Sequence, residues 1–249
     1  MRRFLLLFLL GVNAWALGAY ELAQKTDAAM SGFGDAVSEM KMTLINANGQ
    51  TRERTMSMKV LEGDRGDKSL MEFLTPADVK GTKFLNYEHL DRDDDQWLYL
   101  PALKRVKRIA SKNKSGAFMG SEFSYEDLSA FNVEKYTYEG DAETVELDGR
   151  SLYKTIRFPK EKNSGYTEQV SWTDPGTFVI VRVDYYDRKN ALLKTAVFDD
   201  YRNEGGVWRI GKITMTNHQN DKKTILVWER ETIDTGLSDK DFHKRVLKR

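Results

Sequence analysis

DDDQWLYLPALKRVKRIASKNKSGAFMGSEFSYED, residues Asp93 to Asp127, is the stretch from which the fold is read. Gln96, Leu98 and Leu100 alternate with Trp97 and Tyr99, which is the period of an extended strand with two usable faces, and Pro101 ends it. Pro101 to Leu103 forms a short connection. Lys104, Val106 and Arg108 then alternate with Arg105, Lys107 and Ile109, so the two segments form an antiparallel hairpin with a basic second strand. Ser111 to Gly116 is polar and rich in breakers, yet it leads into Ala117, Phe118 and Met119 before Gly120 interrupts again. Apolar residues between flexible flanks point to a movable tip that something covers.

The run WLYLPALKRVKRIASKNKSGAFMGSEFSYEDL, with LTPADVKGTKFL upstream at Leu74 to Leu85, resembles the LolA-like outer-membrane lipoprotein-sorting proteins of Gram-negative bacteria. The resemblance is densest between Leu70 and Leu128. It implies a mainly β chain with a few helices. The curved meander sheet would form a half-open antiparallel β-barrel, with helices covering the concave face. Such a fold holds acyl chains in an apolar cavity and has no catalytic centre. The resemblance further implies an inner-membrane exporter and an outer-membrane acceptor as partners.

Outward from that stretch, the N-terminus reads as a secretory leader. Met1-Arg2-Arg3 precedes an apolar run from Phe4 to Leu10, and small residues follow in Ala14-Trp15-Ala16 and Leu17-Gly18-Ala19. Residues 1–16 are therefore expected to be a signal peptide, with cleavage as late as residue 19, and 17–249 a single half-barrel domain. Arg2-Arg3 resembles a twin-arginine signal but lacks its flanking residues, so the general secretion route is expected. The chain has no cysteine, which excludes a disulfide framework and a lipid-modified cysteine after the leader. A periplasmic carrier is favoured over a lipid-anchored acceptor, with no membrane span after cleavage and a monomeric state. With 39 basic and 38 acidic residues the bulk charge does not point to nucleic acid.

The rest of the chain reads as strands joined by short turns. Tyr20 to Met30 is a weak amphipathic helix stopped by Ser31 to Gly34. Met40, Met42 and Leu44, then Met56, Met58 and Val60, flank the turn Asn46 to Gly49 and give a hairpin with a methionine-lined face. Asp148-Gly149 is a strong two-residue turn, and Thr173 to Gly176 and Asp187 to Asn190 make further turns. These connections predict an up-and-down meander rather than βαβ units. Ser238 and Asp241 have capping-box spacing ahead of Phe242, Val246 and Leu247, so a final helix or turn is expected to rest on the sheet.

Catalytic and metal motifs are weak. His89, His218 and His243 lack the spacing of a zinc site. Asp91, Asp93 and Asp95 have the alternation of a calcium loop, but Gln96 and Ala102 replace its glycine and glutamate, which leaves an exposed acidic turn as the expectation. Gly32 and Gly34 begin a dinucleotide motif that Val37 breaks. No cofactor is expected. The candidate lipid contacts, in cavity or rim, are Met40, Met42, Met56, Met58, Phe73, Phe84, Trp97, Tyr99, Phe118, Met119, Phe123 and Tyr125. Unbranched methionines and aromatic rings make an adaptable wall for flexible apolar ligands. Lys104, Arg105, Lys107, Arg108, Lys112 and Lys114 are the candidate docking residues for an anionic membrane or an acidic partner. They serve equally as a solvated sheet edge that resists aggregation. A regulatory module that senses lipid or misfolded protein, and an unrecognised hydrolase, are the alternative functions.

Overall fold

The computed structural model describes residues 16–248; the expected leader lies outside them except for Ala16. The α-helix α1 (Ala19–Met30) comes first. The first meander comprises β1 (Asp35–Ile45), β2 (Thr51–Leu61), β3 (Lys68–Thr75), β4 (Lys83–Tyr87), β5 (Asp95–Leu100) and β6 (Arg105–Ile109). After a long connection come β7 (Tyr136–Tyr138), β8 (Glu143–Leu147), β9 (Arg150–Pro159), β10 (Tyr166–Thr173), β11 (Ile180–Asp187) and β12 (Leu192–Asp199). The remaining strands are β13 (Arg202–Glu204), β14 (Val207–Arg209), β15 (Lys212–Asn217) and β16 (Lys223–Ile233).

One large antiparallel sheet runs β6-β5-β4-β3-β2-β1-β16-β15-β12-β11-β10-β9, with β7 and β8 sharing the far edge of β9. The meander expected from the turns holds within each half. Between the halves it does not, because the first strand pairs with the last: Met42 lies opposite Leu226, and Thr43 opposite Ile225. β6 and the β7/β8 edge end the sheet without pairing to each other, so the barrel is half open. β13 and β14 form a separate small hairpin. Asp148 and Gly149 adopt φ of 52° and 75°, the left-handed pair that a tight hairpin turn between β8 and β9 requires.

Strand alternation separates two cores. Met40 and Met42 on β1, Met71 and Phe73 on β3, Val183 on β11, Ala196 on β12, Met215 on β15 and Leu226 on β16 belong to one buried cluster. A cluster that joins strands so far apart in the sheet shows that the sheet curves around it. On the opposite face Leu70, Leu85 and Trp97 are covered by Phe242 and Leu247 of the C-terminal segment. The Ser238–Asp241 capping box forms as expected, and 3-10 turns at Asp239–Phe242 and Lys244–Lys248 take the place of a longer helix. Phe242 and Leu247 are completely buried, each contributing roughly 1.5–3 kcal/mol by apolar burial.

The cover of the concave side differs from the expectation of several helices. Among the described residues α1 is the one α-helix, and the connection between β6 and β7, residues 110–135, supplies the rest of the cover through short 3-10 turns.

Candidate functional site

The connection is a strap folded on itself. Met119 and Gly120 adopt φ of 50° and 75°, which turns the chain sharply enough for Phe118 N–H to donate to the Phe123 carbonyl at 2.7 Å. Ser121 Oγ donates to the Phe118 carbonyl, also at 2.7 Å. The Phe118 ring is thereby driven inward, with its centroid 5.9 Å from Phe73, 5.3 Å from Phe84 and 5.6 Å from Tyr125. It is completely buried. Phe118 thus packs as core rather than as exposed rim, and Met119 lies partly buried beside it. Arg54 Nη1 donates to the Met119 carbonyl at 2.7 Å, Gln96 Nε2 to the Tyr125 carbonyl at 2.9 Å, and Glu122 N–H to Thr224 Oγ1 at 3.0 Å. These bonds tie the strap to both halves of the sheet.

Beside the strap the sheet encloses a cavity of about 640 Å³. Ligand pockets of roughly 300–1,000 Å³ hold a single small molecule. Met40, Met58, Met71, Phe84 and Phe123 form the apolar wall on one side, and Val183, Phe198, Ile213, Leu226 and Trp228 form it on the other. Of the candidate contacts, Met40, Met58, Phe84 and Phe123 reach the cavity. Met42, Met56, Phe73 and Phe118 are buried in the surrounding core, while Met119 and Tyr125 lie partly buried against it. Trp97 and Tyr99 face the other way, into the cluster under the C-terminal segment. The two-faced alternation in β5 holds, with Gln96 and Leu98, not the aromatic residues, on the inner face.

The lining also carries charge. Lys114 Nζ lies 3.4 Å from Glu161, and Lys135 Nζ lies 2.6 Å from Asp94 and 3.0 Å from Glu88. Asp127, whose carboxylate is buried, accepts from Lys194 Nζ at 2.5 Å and from the Tyr166 hydroxyl at 2.7 Å. Two carboxyls are held far above their ordinary range: Asp67 by burial and then by Glu88, and Glu126 by burial and then by Asp127, each pushed up to about 7. Glu126 accepts two hydrogen bonds from Gly165 N–H at 3.1 Å, which oppose that rise without cancelling it.

Two sequence expectations change here. Asp91 and Asp93 are exposed, but Asp94 turns inward to Lys135 and Ser129, so the acidic turn anchors the strap. Asp95 is drawn down to about 2: burial works against its ionised form, but Arg108, Arg92 and His89 hydrogen bond to it. The basic group divides as well. Lys104, Arg105, Lys107, Arg108 and Lys112 are exposed along or just beyond the edge strand β6, whereas Lys114 is 1% exposed and belongs to the cavity. Apart from Lys114, which was expected at a docking surface, the charged cavity groups carried no signal in the sequence, and most of them come from loops and strand ends, where no periodicity marks direction. The aliphatic wall of β11, β12 and β15 follows ordinary strand alternation and was open to the same reasoning as β1.

The comparisons agree with this geometry. A family model described as "Uncharacterized protein" matches residues 65–249, well over half of the chain. No curated protein matches. A solved domain from Vibrio parahaemolyticus, named for outer-membrane lipoprotein sorting, is 47% identical with a TM-score of 0.88, over 92% of this chain and 98% of that one. A DUF1329 family protein from Desulfovibrio piger is 33% identical with a TM-score of 0.85, over 92% and 97% of the two chains. A LolA superfamily protein from Nitrosomonas europaea is 17% identical with a TM-score of 0.75, over 93% of this chain and all of that one, and shares the fold.

Proposed function

This chain belongs to the DUF1329 family, and from that membership and its cavity we propose that it is a periplasmic carrier which shields acyl chains of lipids or lipoproteins during transfer toward the outer membrane. The observation that carries the reading is the cavity of about 640 Å³, walled by methionines, aromatic rings and aliphatic side chains inside a half-open barrel. Methionine and aromatic walls adapt to flexible chains. Each methylene withdrawn from water contributes about 0.8 kcal/mol before the entropy of association is subtracted. The Vibrio relative's name, lipoprotein sorting, supports the same class of cargo and the same compartment.

Delivery is assigned to the β5–β6 hairpin. Leu103 at its turn is 68% exposed and is followed at once by Lys104 and Arg105. An apolar residue beside a basic strand matches an anionic membrane surface, where each basic residue contributes about 1 kcal/mol. No catalytic step belongs to this reading.

The test is to extract the purified protein with organic solvent, identify co-purifying lipid by mass spectrometry, and then measure transfer to anionic vesicles. Stoichiometric lipid of mixed chain length is expected. A variant with Lys104, Arg105, Lys107 and Arg108 changed to Glu should retain the lipid and deliver it slowly, and salt should slow the wild type in the same way. An empty protein that transfers nothing would falsify the carrier reading.

A further inference from the structure

Arg157, on β9, is 7% exposed and lines the cavity. Its Nε donates to Gln169 Oε1 at 2.9 Å, and its guanidinium carbon lies 4.5 Å from the centroid of Phe131 and 4.6 Å from that of Tyr136. Two rings and one amide therefore fix the plane of the guanidinium. Among the described residues no carboxylate pairs with it. Three other cations of the wall are paired with carboxylates, Lys114 with Glu161, Lys135 with Asp94 and Glu88, and Arg209 with Glu231 at 2.8 Å, while Lys160, which donates to the Glu134 carbonyl, is exposed to solvent.

Carboxylates do line the cavity, Asp27, Asp67, Asp91 and Asp93 among them, but among the described residues none ion-pairs with Arg157, and three others are engaged elsewhere. Glu126 is held by the Gly165 N–H and Ser164, Asp127 by Lys194 and Tyr166, and Glu134 accepts from the Tyr20 hydroxyl at 2.6 Å. Aromatic faces stabilise a desolvated guanidinium but do not neutralise it. A planar fork of donors in a low-dielectric wall is matched by a carboxylate or phosphate, which accepts it in paired, charge-assisted hydrogen bonds.

We propose that Arg157 is the head-group anchor of the cavity, and that the cargo is an anionic amphiphile whose carboxylate or phosphate meets Arg157 while its acyl chain lies along the wall formed by Val183, Phe198, Ile213 and Trp228. This rests on the carrier reading and adds the charge of the cargo to it. Gln169, Phe131 and Tyr136 are positioning residues: they hold the guanidinium plane where the head group arrives.

The experiment is equilibrium dialysis of the delipidated mature chain against palmitate, palmityl phosphate, methyl palmitate and inorganic phosphate. The two tailed anions should bind roughly ten- to a hundredfold more tightly than the uncharged ester, the range expected for hydrogen bonds to a charged group. Arg157→Gln should bind the ester as the wild type does and lose the preference for the anions. Arg157→Lys, which keeps the charge but not the fork, should fall between them. Equal affinity of the wild type for palmitate and methyl palmitate, or a preference that survives in Arg157→Gln, would overturn the anchor and leave the carrier intact. The wild-type comparison decides the matter even where Arg157→Gln does not fold. Inorganic phosphate that binds as tightly as palmityl phosphate would make this a site for free anions and overturn the lipid assignment. Failure of every tailed probe to bind would remove the carrier reading together with the anchor.

Discussion

Phe118 is packed against three rings with no exposure, so Phe118→Ala should destabilise the fold by about 3–5 kcal/mol in urea denaturation. A change below about 1 kcal/mol would return the residue to a mobile rim. Asp67 and Glu126 set a pH dependence. Both carboxyls are raised to about 7 in the folded state, so the unfolded chain ionises first as pH rises. Their contribution to stability therefore falls between roughly pH 4 and 7 and stays low above it. Asp67→Asn and Glu126→Gln should each gain on the order of 1–3 kcal/mol at pH 8 and nothing near pH 4, followed by thermal unfolding at both values. Equal gains at the two pH values would mean that the acids are not the source. At this scale the sequence showed that Phe118 needs cover, since apolar residues between glycines do. Arg157 was not legible, because alternation defines two faces without saying which is inside: in β9 it is Thr155 and Arg157 that face inward and are buried, next to the more apolar-looking Ile156.

Among the elements, the strap depends most on its buried ion pair. Lys194→Met leaves the Asp127 carboxylate without its cation in a nearly dry site and should cost about 3–5 kcal/mol. Adding Asp127→Asn should recover much of that loss, because the amide carries no charge to strand and keeps an acceptor for the Tyr166 hydroxyl. Urea melts of the single and double variants make the comparison, and purely additive losses would show that the pair is uncoupled. The hairpins were legible: Met40 lies opposite Met56, as the alternating methionines require, and Asp148-Gly149 turns β8 into β9. The strap's course was not, since polar and glycine-rich residues signal a connection but not the face it crosses. Its fixed position comes from long-range acceptors such as Thr224 and donors such as Arg54, far away in sequence.

For the whole molecule, the segment after the expected leader is already part of the fold. Ala142 N–H donates to the Leu17 carbonyl at 2.7 Å, and Ala19 N–H to the Gly140 carbonyl at 3.0 Å. Cleavage after Ala16 keeps both bonds and cleavage after Ala19 removes them, so the intact mass of the processed protein should correspond to a chain beginning at Leu17. A mass that begins at Tyr20 would show that these bonds are dispensable. The half-open barrel was legible from the resemblance and from the run of strands and turns, but the pairing of β1 with β16 was not, because local turns carry no information about closure across the chain. That seam sets an order of events in time. Within either half each strand meets a neighbour close by in sequence, whereas Met42 must wait for Leu226. Contacts of such high sequence separation form late, because the loop entropy is lost before they reward it. A chain that emerges from a membrane N-terminus first holds the edge of β1 unpaired until nearly the last strand has crossed. Leu226→Ala should accordingly speed unfolding and leave the folding rate almost unchanged, and Met56→Ala in the early hairpin should slow folding, both read from stopped-flow chevrons. The opposite pattern would place the seam at the start of folding. An exposed strand waiting for its distant partner is open to any other strand, and a chain proposed to shield apolar cargo is for that interval itself a client in need of shielding.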